Sequence, residues 1–383
     1  MDCSHPPSKM GKTEADRAMM RRCLMLAARA EGRTSPNPMV GAIVARAGRV
    51  IAEAWHQRAG TAHAEAAALG KAGNAARGAT LYVNLEPCCH FGRTPPCVDA
   101  IIEAGIRRVV TAHRDPFSRV RGRGHAALRR AGVRVDSGVL RDEALQLNEA
   151  YLVFVERRRP FVLVKAAMTL DGRIATAAGQ SRWISSAASR IEAHRLRARH
   201  DAVIIGSNTA LSDDPRLTAR HRAGGGAGVG QPWRVVLDSR LRLGPKARLL
   251  RVGSGVIVYT LRRASQARAN SLARAGADVV RLGADAEGRV DLVQALRDLA
   301  RRGALRVMIE GGGELIASAF SARVVDKVAF FVAPIVVGGR GAAPVVGGRG
   351  ADKLRQGFRL TRLEVSRVGD DLLVQGYVAG PKR

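Results

Sequence analysis

Apolar and polar positions in the first 140 residues alternate between a helical and a strand period. An apolar face along Glu14–Glu31 predicts a first helix, and two apolar runs, Val40–Ala45 and Val50–Trp55, predict strands joined by Ala47-Gly48. The elements predicted after these are helix His63–Leu69, strand Leu81–Asn84, helix Val98–Ala104, strand Arg107–Thr111, helix Gly124–Ala131 and strand Val133–Val135. This alternation predicts an α/β/α sandwich, with helices on both faces of one sheet.

A polar segment, Gln146–Arg159, ends in three consecutive arginines before Pro160 and predicts a boundary between two domains. We expect one domain over residues 13–148 and another over 160–383. The elements predicted in the second domain are strands Phe161–Met168, Ala202–Gly206, Arg234–Leu237, Val256–Tyr259, Arg306–Glu310, Lys327–Val332, Leu360–Val365 and Leu372–Val378, and helices Ser186–Ala198 and Leu292–Arg301. The second domain is therefore also α/β. Five glycines within Gly224–Gly230 predict a flexible surface insertion.

Length and composition agree with two soluble domains. A chain of 383 residues with 46% hydrophobic residues can bury two cores, and an aromatic content of 4% leaves aliphatic side chains to fill them. No apolar run approaches the roughly 18 residues that a membrane helix requires. The first dozen residues contain no apolar stretch of the signal-peptide type. We therefore expect a cytoplasmic protein with no membrane partner.

The formal net charge of +30 raises the possibility of a nucleic-acid partner. The arginines are scattered in pairs, such as Arg21-Arg22 and Arg107-Arg108, and they are not interleaved with aromatic residues. A platform for single-stranded nucleic acid needs clustered basic residues and aromatic residues interleaved with them. The pattern favours solvated basic faces and no nucleic-acid partner, although a positive field promotes capture of phosphorylated ligands.

The clearest chemical motif is His63-Ala64-Glu65, followed by Pro87-Cys88 and Cys97. One imidazole and two thiolates give zinc three protein ligands and leave a fourth position open for water, which is the catalytic arrangement. Glu65 stands two residues from a ligand at a predicted helix start, where a carboxylate can carry a proton between water and a leaving amine. This order of residues is the signature of zinc nucleobase deaminases.

The alternative is a closed structural zinc site in which Cys89 or His90 supplies a fourth ligand. A closed site would account for the metal but not for Glu65 within the motif. The catalytic interpretation is therefore favoured.

The spacing between the cysteines distinguishes among deaminases. Eight residues separate Cys88 from Cys97, whereas deaminases of transfer RNA, cytidine or single-stranded DNA usually have two. With Pro36–Gly41 and His56–Gly60, the segment Cys88–Cys97 resembles the deaminase half of the bifunctional riboflavin-biosynthesis deaminase/reductase family. This chain departs from that family in having Cys89 where serine is common.

The second domain lacks a Gly-x-Gly-x-x-Gly after its first strand, which excludes a Rossmann site there. It offers Glu310-Gly311-Gly312-Gly313-Glu314 between a predicted strand and helix, which is either an anion-binding turn or an ordinary glycine-rich connection. The blocks Lys165–Arg173, Ser181–Ser185 and Asp213–Thr218 resemble the reductase half of the same family. The resemblance implies a cytidine-deaminase-like domain followed by a dihydrofolate-reductase-like domain that uses NADPH.

The resemblance also assigns site residues. His63, Cys88 and Cys97 would bind zinc, Glu65 would transfer protons, and Asn37, His56 and His90 would hold the pyrimidine or its ribosyl phosphate. The cofactor contacts it implies are Ala167, Trp183, Thr209, Asp213, Ser239, Gly312, Gly313, Glu314, Leu315, Ile316, Ala317 and Ser318. The substrate contacts it implies in the second domain are Ser181, Arg197, Leu217, Arg220 and Glu310, and Lys165 is added to them for the separate reason given next.

Lys165 also stands out without the resemblance. It lies late in an apolar strand, where a solvated charge is out of place, so we expect it to meet an anion or the ribose. Arg197 and Arg220 have the fork of donors that suits a phosphate, or they are surface residues in an arginine-rich chain.

By resemblance, the first domain deaminates 2,5-diamino-6-ribosylamino-4(3H)-pyrimidinone 5′-phosphate, and the second uses NADPH to reduce the ribosyl chain of the product to ribityl. We expect a homo-oligomer, either a dimer or a tetramer. Two other readings remain open here, a nucleic-acid zinc deaminase of the transfer-RNA type with an appended domain and a non-catalytic zinc module joined to an arginine-rich binding domain. The cysteine spacing counts against the first reading, and Glu65 counts against the second.

Overall fold

The computed structural model describes residues 14–92, 95–219, 231–253 and 255–379. The chain divides into two compact units, one before and one after the bond between Arg157 and Arg158. The predicted insertion Gly224–Gly230 and the predicted substrate residue Arg220 lie outside the described residues. Among the residues described, no helix is both long enough and apolar enough to cross a membrane.

The first unit is built on a five-stranded sheet in the order β2-β1-β3-β4-β5. Its elements are α1 (Glu14–Ala28), β1 (Gly41–Arg46), β2 (Arg49–Trp55), α2 (Ala64–Ala72), β3 (Thr80–Val83), α3 (Cys97–Glu103), β4 (Arg108–Thr111), α4 (Arg123–Arg130), β5 (Arg134–Ser137), α5 (Arg141–Leu147) and α6 (Glu149–Arg157). β1 runs antiparallel to β2 and β3, whereas β3, β4 and β5 are parallel. The alternation of helix and strand predicted from the sequence is confirmed.

The core of the first unit is aliphatic, as the composition requires. Met20, Cys23 and Leu26 on α1 are buried against Ile43 on β1 and Val110 on β4. The Cys23 thiol donates a hydrogen bond to the Tyr82 carbonyl, so this cysteine is a core residue.

The polar segment at the end of the first unit is a helix and not a simple joint. α6 covers most of it, and the side chains of Ala150 and Tyr151 are buried. The hydroxyl of Tyr151 donates to the carboxylate of Asp115 at 3.0 Å. The charged residues of this helix, Glu149, Glu156 and Arg157, stand at its two ends, on either side of the apolar run Ala150–Val155.

The second unit contains a nine-stranded sheet in the order β11-β10-β9-β8-β12-β6-β13-β16-β15. Its strands are β6 (Phe161–Thr169), β7 (Arg173–Ala175), β8 (Ala202–Gly206), β9 (Trp233–Leu237), β10 (Val256–Leu261), β11 (Ala277–Leu282), β12 (Arg306–Glu310), β13 (Lys327–Ala333), β14 (Ala343–Pro344), β15 (Leu360–Val368) and β16 (Asp371–Val378). Its helices are α7 (Ala187–Ala198), α8 (Ser207–Asp213), α9 (Gln266–Arg274), α10 (Leu292–Arg301) and α11 (Gly313–Ser321). The predicted strands are present, while α8, α9, β7, β11 and β14 were not predicted.

Seven neighbouring strands of this sheet are parallel, and β16 and β15 add an antiparallel pair at one end. Parallel strands bring their carboxyl ends to one edge, which is where open α/β sheets bind ligands. Two aliphatic clusters fill the two faces of the sheet, one containing Ile309 and Ile316 and the other containing Ile205 and Met308. This packing fixes the edge at which the second site forms.

Candidate active sites

The first site brings together the three predicted zinc ligands. His63 directly precedes α2, Cys97 is the first residue of α3, and Cys88 lies in the loop that follows β3. One ligand atom from each residue lies within 4.8 Å of the other two. The imidazole Nδ1 of His63 is 3.2 Å from the sulfur of Cys97 and 3.5 Å from that of Cys88. Two sulfurs and one imidazole nitrogen converging in this way suit zinc.

The cluster has three members among the described residues, and neither Cys89 nor His90 belongs to it. The thiol of Cys89 faces the carbonyl of Arg119 instead. The geometry therefore disfavours a closed four-ligand site, because the cluster offers three ligand atoms among the described residues.

Glu65 lies in the first turn of α2, with 5% of its surface exposed, and its carboxyl group hydrogen-bonds to the side chain of Cys97. Burial, together with the charge of Cys88, raises the pKa of Glu65 to about 7. A carboxyl group with such a pKa can both accept and release a proton near neutrality.

Asn37 and His56 lie at the same site. The ring of His56 is edge-on to that of His63, with centroids 5.5 Å apart. His56 Nδ1 lies 3.1 Å from the Ala62 carbonyl, and His56 Nε2 lies 3.1 Å from Nδ2 of Asn37. Because a carbonyl only accepts, Nδ1 must carry the proton, so Nε2 accepts from the Asn37 amide. This chain of bonds orients the Asn37 carboxamide.

Sequence reasoning missed Glu86, a buried carboxylate next to the ligand loop. Its oxygens accept backbone N–H bonds from Asp115 at 3.2 Å, Gly122 at 2.9 Å and His125 at 3.0 Å. A side chain on Gly124 would meet the Pro87 carbonyl at 2.1 Å, so the start of α4 lies directly against that loop. Glu86 thus holds the loop of Cys88 in place. The only sequence signal was its position before Pro87-Cys88.

The second site is centred on an ion network between the carboxyl end of β12, where Glu310 lies, and the middle of β6, where Lys165 lies. The Lys165 ammonium donates to Glu310 Oε1 at 3.0 Å. Arg197, from α7, donates through Nε to Oε2 at 2.7 Å and through Nη2 to Oε1 at 2.8 Å. These cations lower the pKa of Glu310 despite its burial, so the carboxyl group is ionised. The expectation that Lys165 meets an anion is confirmed.

The network also shows how Arg197 is used. Its fork faces Glu310, and Nη1 donates to the carbonyl of Thr218 at 3.2 Å. The fork of Arg197 therefore binds the Glu310 carboxylate in this structure.

The glycine turn after β12 has a backbone conformation that requires glycine. Gly311 and Gly312 have φ values of +89° and +77°, which residues other than glycine rarely adopt. A Cβ on Gly312 would lie 3.0 Å from the hydroxyl of Thr209, so the turn and α8 approach closely. α11 begins at Gly313, so its first backbone N–H groups have no acceptor within the helix, which is the arrangement that suits an anion.

The other predicted cofactor and substrate contacts occupy varied positions. Trp183 is 69% exposed and lies under the guanidinium of Arg190, at 4.5 Å. Leu217 is buried. Ser239 accepts a hydrogen bond from the Val290 backbone, and Asp213 closes α8. The side chains of Leu315, Ile316 and Ala317 are buried, so in that stretch the backbone is what can face a ligand.

Comparison with known proteins agrees with this architecture. Residues 160–374 match the RibD C-terminal domain family, and residues 13–113 match the cytidine and deoxycytidylate deaminase zinc-binding region. The riboflavin biosynthesis protein RibD of Synechocystis sp. is 40% identical over 367 residues, which cover 96% of this chain and 97% of the relative.

Solved structures give the same result. RibD of Acinetobacter baumannii superposes with a TM-score of 0.87 at 34% identity, covering 96% of this chain and 99% of that one. The diaminohydroxyphosphoribosylaminopyrimidine deaminase/5-amino-6-(5-phosphoribosylamino)uracil reductase of Thermotoga maritima superposes with a TM-score of 0.82 at 34% identity and the same coverage.

Fold and sites together define a two-domain enzyme in which a cytidine-deaminase-like domain precedes a dihydrofolate-reductase-like domain. The deaminase domain uses zinc, and the reductase domain uses NADPH. The chain belongs to the RibD family, the bifunctional deaminase/reductases of riboflavin biosynthesis. The alternative of a nucleic-acid deaminase with an appended domain is not favoured.

Proposed function

We propose that this chain catalyses two consecutive reactions on one phosphorylated pyrimidine. The first unit hydrolyses the 2-amino group of 2,5-diamino-6-ribosylamino-4(3H)-pyrimidinone 5′-phosphate. The second unit reduces the ribosyl chain of the resulting 5-amino-6-ribosylaminouracil 5′-phosphate to ribityl. The observation that carries this proposal is that each unit has its own site. The first unit has a buried Glu65 beside the His63–Cys88–Cys97 cluster. The second unit has the glycine turn after β12 and the Lys165–Glu310 ion pair.

In the deaminase site, His63, Cys88 and Cys97 hold the zinc ion. Zinc, when bound, supplies a Lewis acid that makes water nucleophilic near neutral pH. Glu65 takes a proton on its carboxylate and delivers it to the departing amine. Its burial supports this role because burial places its pKa at about 7.

Asn37 and His56 hold the pyrimidine. Since the Asn37 amide nitrogen donates to His56, the Asn37 oxygen can accept a hydrogen bond from a ring N–H or amine of the substrate. His56 would act mainly by fixing that orientation.

In the reductase site, Gly312 and the start of α11, Gly313–Ser318, would hold the pyrophosphate of NADPH, and Thr209, Trp183, Asp213, Ser239 and Ala167 would line its path. NADPH supplies the hydride. The Lys165 ammonium, held by Glu310, directs its remaining N–H bonds toward the ribosyl group of the substrate. Ser181, Leu217 and Arg220 complete the substrate contacts.

The decisive experiment is mass spectrometry of the diaminopyrimidine substrate incubated with the enzyme. Without NADPH, the product should gain 1 Da as an amine is replaced by oxygen; with NADPH, a further gain of 2 Da should follow. If no product has the deaminated mass, the deaminase assignment is wrong. If the deaminated product accumulates unchanged with NADPH present, the reductase assignment is wrong.

We further propose a homo-oligomer, a dimer or a tetramer, that forms through β15. This strand ends the sheet order, and its side chains are exposed along nearly its whole length. Leu363 and Val365 are each 57% exposed. An apolar outer strand is a typical pairing surface. Sedimentation of a Leu363→Glu variant should show smaller particles, whereas Met25→Glu in the first unit should not; unchanged assembly of both would refute the role of β15.

The partners are phosphorylated small molecules and not nucleic acid, and both reactions belong to the cytoplasm, where thiols stay reduced. Single-stranded RNA at physiological salt should fail to compete with the pyrimidine substrate. Tight RNA binding that weakens steeply with salt would contradict this proposal, because such a slope reports many neutralised phosphates.

A further inference from the structure

The glycine turn after β12 lies at the carboxyl-end edge of the second sheet, between neighbouring strands on both sides. β12 has β6 on one side and β8, followed by β9, on the other. A dinucleotide with its pyrophosphate at the turn after β12 and its nicotinamide toward Lys165 on β6 would have its adenosine half over β8 and β9. β9 is two strand spacings, or about 10 Å, from β12.

A single arginine bridges the ends of β8 and β9. Nη2 of Arg242 donates to the hydroxyl of Ser207 at 2.7 Å and to the Asn208 side-chain oxygen at 2.6 Å. Ser207 and Asn208 open α8 directly after β8, while Arg242 follows β9. The guanidinium therefore lies across the part of the edge assigned to the adenosine.

The backbone that carries Arg242 is firmly held. Its neighbours Leu241 and Leu243 are 1% and 5% exposed, so the arginine between them is directed outward. The buried carboxylate of Asp238 accepts the Leu243 N–H at 2.8 Å. Because this turn is held by buried leucines and a backbone hydrogen bond, the charge of Arg242 keeps its position, which suits it to bind a ligand.

The charge of Arg242 is not neutralised. Both of its acceptors are neutral, and no carboxylate within the described part of the chain pairs with it. By contrast, Arg108, Arg159 and Arg197 each bind a carboxylate in two places or more. A guanidinium with unused donors matches a phosphate group in charge and geometry.

We propose that Arg242 binds the 2′-phosphate of NADPH and thereby makes the reductase select NADPH over NADH. Ser207 and Asn208 keep the guanidinium in place, and NADH has only a hydroxyl at that position. This inference rests on the proposed cofactor site at the glycine turn.

Calorimetry on the full chain tests the proposal without turnover. Adenosine 2′,5′-bisphosphate and adenosine 5′-monophosphate serve as probes, because they differ only in the 2′-phosphate. The wild type should bind the bisphosphate at least tenfold more tightly. Arg242→Gln should abolish most of this preference, and Arg242→Lys should retain part of it. The ratio of kcat/KM for NADPH to that for NADH should fall in parallel.

Arg274→Gln is the matched control, because Arg274 ends α9 at the opposite edge of the same sheet and the change removes the same charge. It should keep the preference of the wild type. A preference that survives in Arg242→Gln overturns the proposal, as does an equal loss for both probes, which would indicate a merely structural role. Oxidation of NADPH by the wild type against the deaminated pyrimidine separates this outcome from failure of the reductase assignment itself.

Discussion

The two sites are assembled by opposite routes. In the first unit, the three metal-binding side chains and Glu65 come from 35 consecutive positions, residues 63–97, on the starts of two helices and one loop. In the second unit, Lys165 and Glu310 are 145 residues apart and meet because β6 and β12 are adjacent and in register. A site built from local spacing is readable as a motif, whereas a site built from strand register becomes visible only with the fold.

The largest effect should come from Glu65→Gln, which tests whether the local site works alone. Glutamine preserves size but cannot carry the proton, so deamination should fall by about 10²- to 10⁴-fold. Reduction of the supplied deaminated intermediate should be unchanged. Ammonia release and NADPH absorbance measure the two reactions separately; a variant that deaminates at the wild-type rate would refute the role of Glu65.

The second-largest effect concerns the residue at which the second unit begins and the stability of that unit. Arg159 forms a buried two-point pair with Asp326, at 2.6 and 2.8 Å. A fragment that starts at residue 160 loses this guanidinium, while one that starts at Arg158 keeps it. Removing one partner of a buried pair costs about 3 kcal/mol or more.

Urea unfolding of the two fragments measures that difference. Arg157→Ala in the full chain is the control for loss of a neighbouring arginine. Equal stability of the two fragments would show that the pair contributes little.

A third test removes the charge at the centre of the site in the second unit. Glu310→Gln keeps the shape but removes the charge that holds Lys165 and Arg197, so NADPH oxidation should fall by about 10²-fold through misplacement of these groups. Deamination should continue at the wild-type rate, which the ammonia assay reports. A parallel loss of both activities would mean that the two sites are not independent.

The smallest effect is one of acidity. Burial lowers the pKa of His200 to about 4, below its ordinary value. Between those values the unfolded chain binds the proton and the folded chain does not, so stability falls as the pH falls. From pH 7 to 5.5 the second unit should lose about 1 kcal/mol from this residue. Urea unfolding of wild type and His200→Asn at both pH values measures it, and an equal pH dependence in the two would exclude His200.

These two routes explain how much the sequence could reveal. The metal ligands and Glu65 could be predicted because their spacing itself encodes the geometry. Lys165 could be recognised as misplaced in an apolar strand, but its partners could not be deduced from that strand alone. The order of the nine strands sets which carboxyl ends are neighbours, and no local pattern specifies it.

The burial of two charged residues could not be predicted from the sequence pattern, for a different reason. Glu86 and Arg159 are charged, so they read as surface residues, yet each is buried by the groups that satisfy it. Polarity predicts exposure only when nothing nearby can replace water.

The scarcity of aromatic residues leaves three tryptophans in the whole chain, and their placement makes them natural optical reporters. Trp55 belongs to the first unit and Trp233 to β9 of the second, while Trp183 stands exposed on the proposed cofactor path. A dinucleotide settling beside Trp183 would quench its emission and accept its excitation energy. Occupancy of the reductase site can therefore be followed by tryptophan fluorescence, while the fluorescence of Trp55 reports on the deaminase unit.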